Sequence, residues 1–178
     1  MSEKNTHLPG TPLSEKDFQD GNILFNHDRL RGDFAWDTGI AIGSYLAGMK
    51  DGVILGGRCD TCRKTVVPPR TVCEWCFRPM SGYVPLRDTG TVNTYSLGYV
   101  TWDVKRIEEP EIPAVIEIDG ASPLHGIMHL LAEVDPEDVH IGMRVQAVWK
   151  SPEERQGAVT DILYFKPIEE EENDSSRA

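Results

Sequence analysis

The sequence predicts a mainly β protein with N-terminal helices, and three patterns along its 178 residues support this prediction. Apolar residues recur at helical spacing before residue 57. Two Cys-x-x-Cys pairs follow, separated by the ten residues from 63 to 72. After them come five short segments rich in Val, Ile, Thr and Tyr, with turn signals between them. This order divides the chain into helices, a metal-binding module and a small barrel.

Residues 1–32 form a predicted N-terminal arm with one short helix. The first residues are polar and interrupted by Pro and Gly, which is typical of a flexible segment or one that wraps a partner. The helix is predicted in SEKDFQDGN, with Ser14 as its cap and a stop near Gly21.

Residues 33–57 contain the stronger predicted helix, WDTGIAIGSYLAGMKDG, which Asp37 or Thr38 can cap and Gly52 can end. Its apolar residues at three- and four-residue spacing are Trp36, Ile40, Ile42, Tyr45, Leu46 and Met49. Three interior glycines weaken the helix in isolation but let another backbone approach closely. The helix either covers the core of its own domain or docks on a partner. In the second case, Tyr45 and Leu46 are the candidate docking residues.

Residues 58–80 predict a metal site. The segment RCDTCRKTVVPPRTVCEWCF holds all four cysteines of the chain, Cys59, Cys62, Cys73 and Cys76. Two such knuckles place four thiolates around one Zn²⁺, and this closed tetrahedral shell is structural because it leaves no position for a substrate water. The stiff VVPP stretch suits the extended linker of a rubredoxin-like zinc ribbon. Iron could replace zinc, and free buried thiols are the alternative.

The two knuckles depart from the usual sequence pattern directly after their second cysteines. Many knuckles place glycine directly after the second cysteine, and here Arg63 and Phe77 hold those positions.

Residues 81–168 predict a five-stranded OB-fold barrel, the common closed solution for five short strands with little helix. The five segments are TVNTYSLGYVTW, IPAVIEID, LHGIMHLLAEV, MRVQAVWK and AVTDILYFKP. In the second, Ile112, Ala114, Ile116 and Ile118 share one face. The third is apolar on both faces, which predicts a strand buried on both sides.

Patterns typical of catalytic sites are missing from the sequence. It has no Gly-x-Ser-x-Gly elbow, no Gly-x-Gly-x-x-Gly and no phosphate loop. All cysteines are committed to metal, so no thiol nucleophile remains. His125 and His129 would share a face of the third strand, where packed or partly exposed side chains are expected. We therefore expect no catalytic residue in this chain. An acid–base pair among its many carboxylates remains the alternative.

The charge of the chain argues against nucleic acid and its composition against a membrane. The net charge is −11 and the pI is about 4.8, whereas nucleic-acid binding depends on Lys and Arg. Residues 169–178 form an acidic tail that is predicted to be disordered. No apolar run is long enough to span a membrane and no signal peptide is recognisable, so a cytoplasmic location is expected. Thiols stay reduced there, which favours metal over disulfides.

Basic residues nevertheless cluster on or near the cysteine segment and the first strands. They are Arg58, Arg63, Lys64, Arg70, Arg87, Lys105 and Arg106. Such a patch could hold a phosphorylated ligand such as a coenzyme, and ordinary solvated surface is the alternative.

The segment GGRCDTCRKTVVPPRTVCEWC, the barrel strands and IGMRVQAVW together resemble the small zinc-ribbon/OB-fold proteins of acyl-CoA metabolism. The resemblance extends from about Trp36 to Pro167. It is most specific in the order Cys-x-x-Cys, Pro-Pro-Arg, Cys-x-x-Cys and in the preceding helix that ends in YLAGMKDG. Within that family the chain is similar to the small subunits of thiolases that act on bulky acyl-CoA thioesters, such as benzoylsuccinyl-CoA thiolase.

This resemblance implies an accessory subunit of a thiolase, whose larger subunit carries the catalytic residues. The small subunit docks through its ribbon and N-terminal helices and helps to shape the acyl-CoA site. Lys64 and Arg70 are then the candidates for the coenzyme phosphates. The expected ligands are structural Zn²⁺ and, for the complex, a coenzyme A thioester.

Two other functions remain open. A free-standing acyl-CoA carrier needs no thiolase and would bind coenzyme A by itself. A single-stranded nucleic-acid binder needs a basic groove with stacking aromatics, which Tyr95, Tyr99 and Trp102 could supply.

Overall fold

A computed structural model describes residues 14–21, 32, 35–101 and 103–168. The chain divides into two units, Met1–Trp36 and Asp37–Ala178, which are described separately. The acidic tail and the stacking candidate Trp102 lie outside the described residues, as does most of the predicted arm.

Among the described residues of the first unit, Glu15–Gln19 form a short helix, α1. The backbone N–H and the hydroxyl of Ser14 both donate to Asp17 Oδ2, at 2.8 and 2.6 Å. Gly21 follows the helix with a φ of +69°. The predicted cap and stop are therefore confirmed, because the capping contacts are local in sequence.

The second unit begins with helix α2 (Gly39–Asp51). Asp37 Oδ1 accepts a hydrogen bond from the backbone N–H of Gly39 at 2.8 Å, and Gly52 closes the helix in the left-handed conformation. At Gly48, a Cβ atom would lie 2.8 Å from the carbonyl oxygen of Val53, so the close approach allowed by the glycines is to the chain's own backbone. No helix in the described ranges is long and apolar enough to cross a membrane.

Helix α2 packs its inner face on the core of its own unit. Tyr45 is only 3% exposed and Leu46 packs partly buried against the same core, so Tyr45 offers no side-chain surface to a partner. The prediction that Tyr45 docks must be corrected for this reason. Docking through the outer face stays a prediction, and Ile40 and Ile42, 74% and 37% exposed, are the large apolar side chains that α2 exposes.

Three antiparallel strands form the ribbon sheet: β1 (Leu55–Cys59), β2 (Lys64–Val66) and β3 (Gly82–Pro85), in the order β2-β1-β3. This sheet extends beyond the predicted ribbon on both sides. β3 pairs with β1 over four residues, so it belongs to the ribbon and not to the barrel.

Six strands form the second sheet: β4 (Thr89–Tyr95), β5 (Gly98–Val100), β6 (Arg106–Ile118), β7 (Gly126–Leu131), β8 (Arg144–Trp149) and β9 (Ile162–Pro167). Their order is β4-β8-β9-β7-β6-β5, and a further β4–β6 pairing closes five of them into a barrel. β7 and β9 are parallel, and the other pairs are antiparallel. This is the predicted mainly β fold, a zinc ribbon followed by an OB-fold barrel.

The barrel core confirms the predicted alternation of the second segment, because Ile112, Ala114, Ile116 and Ile118 are all buried. The first predicted segment is interrupted after Tyr95, so it forms both β4 and β5.

Strand β7 differs from its prediction. Ile127 and Leu131 point inward, together with the half-buried His129, but Met128 is 75% exposed and Leu130 is also exposed. Burial on both faces is therefore wrong, because no described element covers the outer face of this strand.

Candidate metal centre and the surface around it

The four cysteines converge on one point at the end of the ribbon sheet. Cys59 ends β1, and the other three lie in the turns before β2 and after the linker. All four Sγ atoms lie within 4.8 Å of one another, with Cys59–Cys76 at 3.7 Å and Cys62–Cys73 at 3.8 Å. A tetrahedral Zn²⁺ with Zn–S bonds of about 2.3 Å places its sulfurs about 3.8 Å apart. The residues present therefore fit zinc, and four protein ligands make the site structural.

The thiols of this group differ in acidity. Partial burial, with its neighbouring sulfurs, raises the pKa of Cys62 to about 12. Burial also opposes ionisation of Cys73, but the backbone N–H groups of Cys76 and Trp75 lower its pKa to about 7. Four thiolates so close together need a cation, and Zn²⁺ supplies that charge.

The knuckles keep the turn geometry for which glycine is usual. Arg63 and Phe77 adopt φ values of +54° and +56°. A side chain in this left-handed region costs about 1–2 kcal/mol, and a bound metal would hold both turns against this local preference. The Phe77 ring follows the second knuckle directly and is 82% exposed.

A second group of side chains lies at the junction of the ribbon and the barrel. We call this group the junction cluster, and its members are Lys64, Arg70, Glu74, Trp75 and His125. Lys64 Nζ lies 5.7 Å from the centroid of the Trp75 ring, and the His125 ring meets the same indole edge to face at 5.4 Å. Glu74 pairs with the Arg70 guanidinium, and its other oxygen lies 3.6 Å from His125 Nε2.

The structure therefore brings both sequence-predicted coenzyme residues, Lys64 and Arg70, into one cluster. Sequence reasoning missed the other three members. The four-residue spacing of Arg70 and Glu74 was no signal, because such pairs are expected to meet on a helix and this segment forms none. For His125 no local signal existed, because it reaches the cluster from the barrel.

The other predicted basic residues do not all join this cluster. Arg58 pairs with Asp60 at 2.8 Å, and Lys105 pairs with Asp103 at 2.6 Å at the far turn between β5 and β6. The basic patch is thus narrower than the sequence indicated.

Exposed apolar side chains lie on the same two segments as the junction cluster, and Trp75 belongs to both groups. We call them the ribbon tip, and they are Val72, Trp75, Phe77 and Leu124. Trp75 lies within the second knuckle, Val72 and Phe77 flank it, and Leu124 precedes His125. Large apolar side chains grouped at one edge are typical of a protein interface.

The barrel face that OB-folds use for oligonucleotides has the wrong chemistry for nucleic acid. In this barrel it is formed by β6 and β7. Met128 and Leu130 project from β7, and β6 carries four glutamates: Glu108, Glu109, Glu111 and Glu117. Within these two strands Arg106 is the one Lys or Arg, so a basic groove does not form there.

Comparison with known proteins gives two matching domain families. One is described as the rubredoxin-like zinc ribbon domain of ChsH2 and matches residues 47–80. The other is described as the C-terminal OB-fold domain of ChsH2 and matches residues 83–150. Together they include all four cysteines and most of the barrel.

Relatives of known sequence or structure agree with this division. The DUF35 domain-containing scaffold protein of Methanocaldococcus jannaschii is 33% identical over 119 residues, which are 65% of this chain and 82% of that protein. A DUF35-family protein of unknown function from Sulfolobus solfataricus superposes with a TM-score of 0.54 at 25% identity, over 62% of this chain and 79% of that one. The Ltp2-ChsH2(DUF35) aldolase superposes with a TM-score of 0.55 at 20% identity, over 76% of this chain and 98% of that one. This similarity concerns the fold alone.

Proposed function

This chain belongs to the DUF35 family, and we propose that it is an accessory, non-catalytic subunit of a thiolase complex in the cytoplasm. The complex carries out CoA-dependent cleavage of a 3-oxoacyl-CoA, or the reverse condensation. In this proposal the larger subunit supplies the catalytic residues. The small subunit completes the acyl-CoA site, excludes water and fixes the substrate.

The observation that carries the proposal is the position of the junction cluster and ribbon tip around a closed metal centre. All four cysteines of the chain meet at that centre, so none is free to act as the nucleophile of a thiolase. The same end of the molecule carries exposed apolar side chains, and cations lie beside them. This combination suits a subunit that completes a site begun by another chain.

Docking is assigned to two surfaces, the ribbon tip and the outer face of α2. Phe77 and Leu124, each 82% exposed, are the most exposed side chains of the ribbon tip, and Ile40 is the most exposed apolar side chain of α2. An aromatic anchor such as Phe77 can supply much of the binding energy of a protein interface. The description of the Methanocaldococcus jannaschii relative as a scaffold protein supports a role in assembly.

Lys64 and Arg70 are proposed to meet the phosphates of the coenzyme. Arg70 must then exchange its partner Glu74 for a phosphate, which weakens binding to the isolated chain. A composite site therefore predicts low affinity for coenzyme A until the catalytic subunit is present. A carrier predicts measurable affinity without it.

The partner proposed here is a thiolase because of the resemblance of the cysteine segment and barrel to thiolase small subunits. The name of the Ltp2-ChsH2(DUF35) aldolase adds a second candidate class, since an aldolase also cleaves the bond between the α- and β-carbons of a carbonyl compound.

Paired variants test the docking assignment. Phe77→Glu should weaken binding to the catalytic subunit by at least about tenfold, because it places a charge at an apolar anchor. Val104→Glu is the matched control, since Val104 is equally exposed and also has a positive φ but lies on the β5–β6 turn. Equal affinities of the two variants for the catalytic subunit, measured by surface plasmon resonance, would remove the ribbon tip from the interface.

A second pair tests the coenzyme assignment in the assembled complex. Arg70→Ala should raise the KM for coenzyme A at least about tenfold, as expected for one lost hydrogen bond to a charged group. Arg58→Ala removes a similarly exposed and similarly paired ribbon arginine and should leave the KM unchanged. A KM that responds equally to both substitutions would contradict the assignment of Arg70.

A further inference from the structure

A cavity of about 230 Å³ lies between helix α2, the ribbon linker and the barrel. Tyr45 and Met49 line it from α2, Pro68 from the linker, Ile127 and Met128 from β7, and Val159 from the turn before β9. It is distinct from the metal centre and from the junction cluster, and the proposed function does not use it.

The polar group of interest on this wall is the hydroxyl of Tyr45. The residue is 3% exposed, and its hydroxyl has no hydrogen-bond partner among the described residues. Every fully enclosed side-chain oxygen or nitrogen in the described ranges does have a partner. The Tyr45 hydroxyl must therefore reach accessible space, and the space next to this side chain is the cavity.

The ionisable side chains that line the cavity are uncharged, which determines the ligand charge that the cavity can accept. Burial lowers the pKa of His129, which also lines the cavity, and its Nδ1 accepts the backbone N–H of Leu130 at 2.9 Å. The imidazole is thus neutral near pH 7 and its Nδ1 is already used. Burial also raises the pKa of Tyr45 to about 12, so the hydroxyl stays protonated. A charged ligand would lose its hydration without a counter-charge, which is costly.

The size of the cavity fixes the size of a ligand. An apolar cavity of about 150 Å³ is known to accept benzene, and drug-sized ligands need about 300–1,000 Å³. A volume of 230 Å³ therefore suits one ring with a substituent. The exposed, flexible Met128 at its edge can adjust the opening.

We propose that this cavity is a binding site for a neutral, ring-sized molecule that carries one oxygen atom. This oxygen forms a hydrogen bond with the Tyr45 hydroxyl. Phenol is the simplest probe of this class, and toluene is the matched probe without the oxygen. The site needs neither coenzyme A nor a partner subunit, so it is independent of the proposed function.

The test is a titration of the ¹⁵N-labelled full chain with phenol and with toluene, followed through the backbone amides of residues 126–129. Both probes should give saturable shifts there. Tyr45→Phe should lower the affinity for phenol about three- to tenfold, which is the effect of one net hydrogen bond. The affinity for toluene should not change. Tyr95→Phe is the control, because Tyr95 lies in a neighbouring depression outside this cavity and should change neither affinity.

Two results would overturn the proposal. One is the absence of saturable shifts at residues 126–129 with either probe. The other is a Tyr45→Phe variant that binds phenol as tightly as the native chain, since the hydroxyl would then take no part in recognition.

Discussion

Asp161 shows how one buried carboxylate organises a loop of this fold. Its oxygens accept the backbone N–H groups of Gln156, Gly157 and Ala158 at 2.7 to 3.1 Å, and Lys150 Nζ lies 3.9 Å away. Burial opposes its ionisation, but these N–H groups prevail and hold the pKa of Asp161 below its ordinary value of 3.8. The ionised carboxylate therefore fixes the chain before β9.

We predict that Asp161→Asn destabilises the protein by about 2–3 kcal/mol at pH 7, since an amide NH₂ would face backbone N–H donors. Because the folded state lowers the pKa, the contribution of the carboxylate is complete above pH 3.8 and is lost as the pH falls through the lower folded value. Urea unfolding should thus show a large difference between native chain and variant at pH 7 and a smaller one below pH 3.8.

The exposed Asp138 provides the control for this comparison. Asp138→Asn should change stability by no more than about 0.5 kcal/mol at either pH. An Asp161→Asn variant as stable as this control would contradict the assigned role of Asp161.

At the scale of elements, the β6–β7 pair depends on a close approach at Gly126. This residue pairs with Glu117, and a Cβ atom there would lie 2.1 Å from the carbonyl oxygen of Ile116. Gly126→Ala should therefore push the two strands apart and cost about 1–3 kcal/mol, measured by denaturant unfolding.

Gly82→Ala is the matched control, because a Cβ at this residue of β3 meets nothing within 4 Å. It should leave the free energy of unfolding unchanged or raise it by up to about 1 kcal/mol through the unfolded state. Equal losses in both variants would show that Gly126 is not under steric constraint.

The ribbon is the element whose stability depends on metal. Its sheet is short, and it is tied to the barrel by reciprocal hydrogen bonds between Thr65 and Ser122. We predict one zinc per chain, and chelation should remove hydrogen-exchange protection from residues 55–85 while Ala114 in the barrel stays protected. Unchanged protection of the ribbon after complete loss of zinc would contradict a structural role, and restored protection on adding zinc is the control.

The elements also show what sequence reasoning can reach. The metal ligands, the caps of α1 and α2 and the inward face of β6 were predictable, because each depends on spacing within a few residues. The burial of Tyr45 and the exposure of Met128 were not. Which face of α2 or β7 is covered depends on segments distant in the chain, such as the turn before β9.

The candidate site, too, was predictable from the sequence only in part. Lys64 and Arg70 stood out as cations beside the knuckles, but their environment did not. His125 reaches Trp75 and Glu74 from the barrel, fifty residues later in the chain. Only the folded chain brings such residues together, so the ion pair that occupies Arg70 could not be foreseen as a limit on coenzyme binding.

For the whole molecule, charge separates the candidate functions. A chain with a net charge of −11, whose oligonucleotide face carries glutamates and exposed apolar residues, is poorly suited to nucleic acid. The same surfaces are compatible with a protein partner. Absence of binding to single-stranded oligonucleotides at low salt is therefore expected, and a salt-dependent affinity would contradict this account.

The central claim concerns a partner, so the most direct measurement is the native mass and identity of what co-purifies with this chain from its own host at moderate salt. The account predicts a stoichiometric partner of thiolase size. Thiolysis should be lost when the two chains are separated and restored when they are mixed. A lone monomer that binds coenzyme A would contradict the claim in favour of a carrier, and a lone monomer that binds neither coenzyme A nor a thiolase would contradict both.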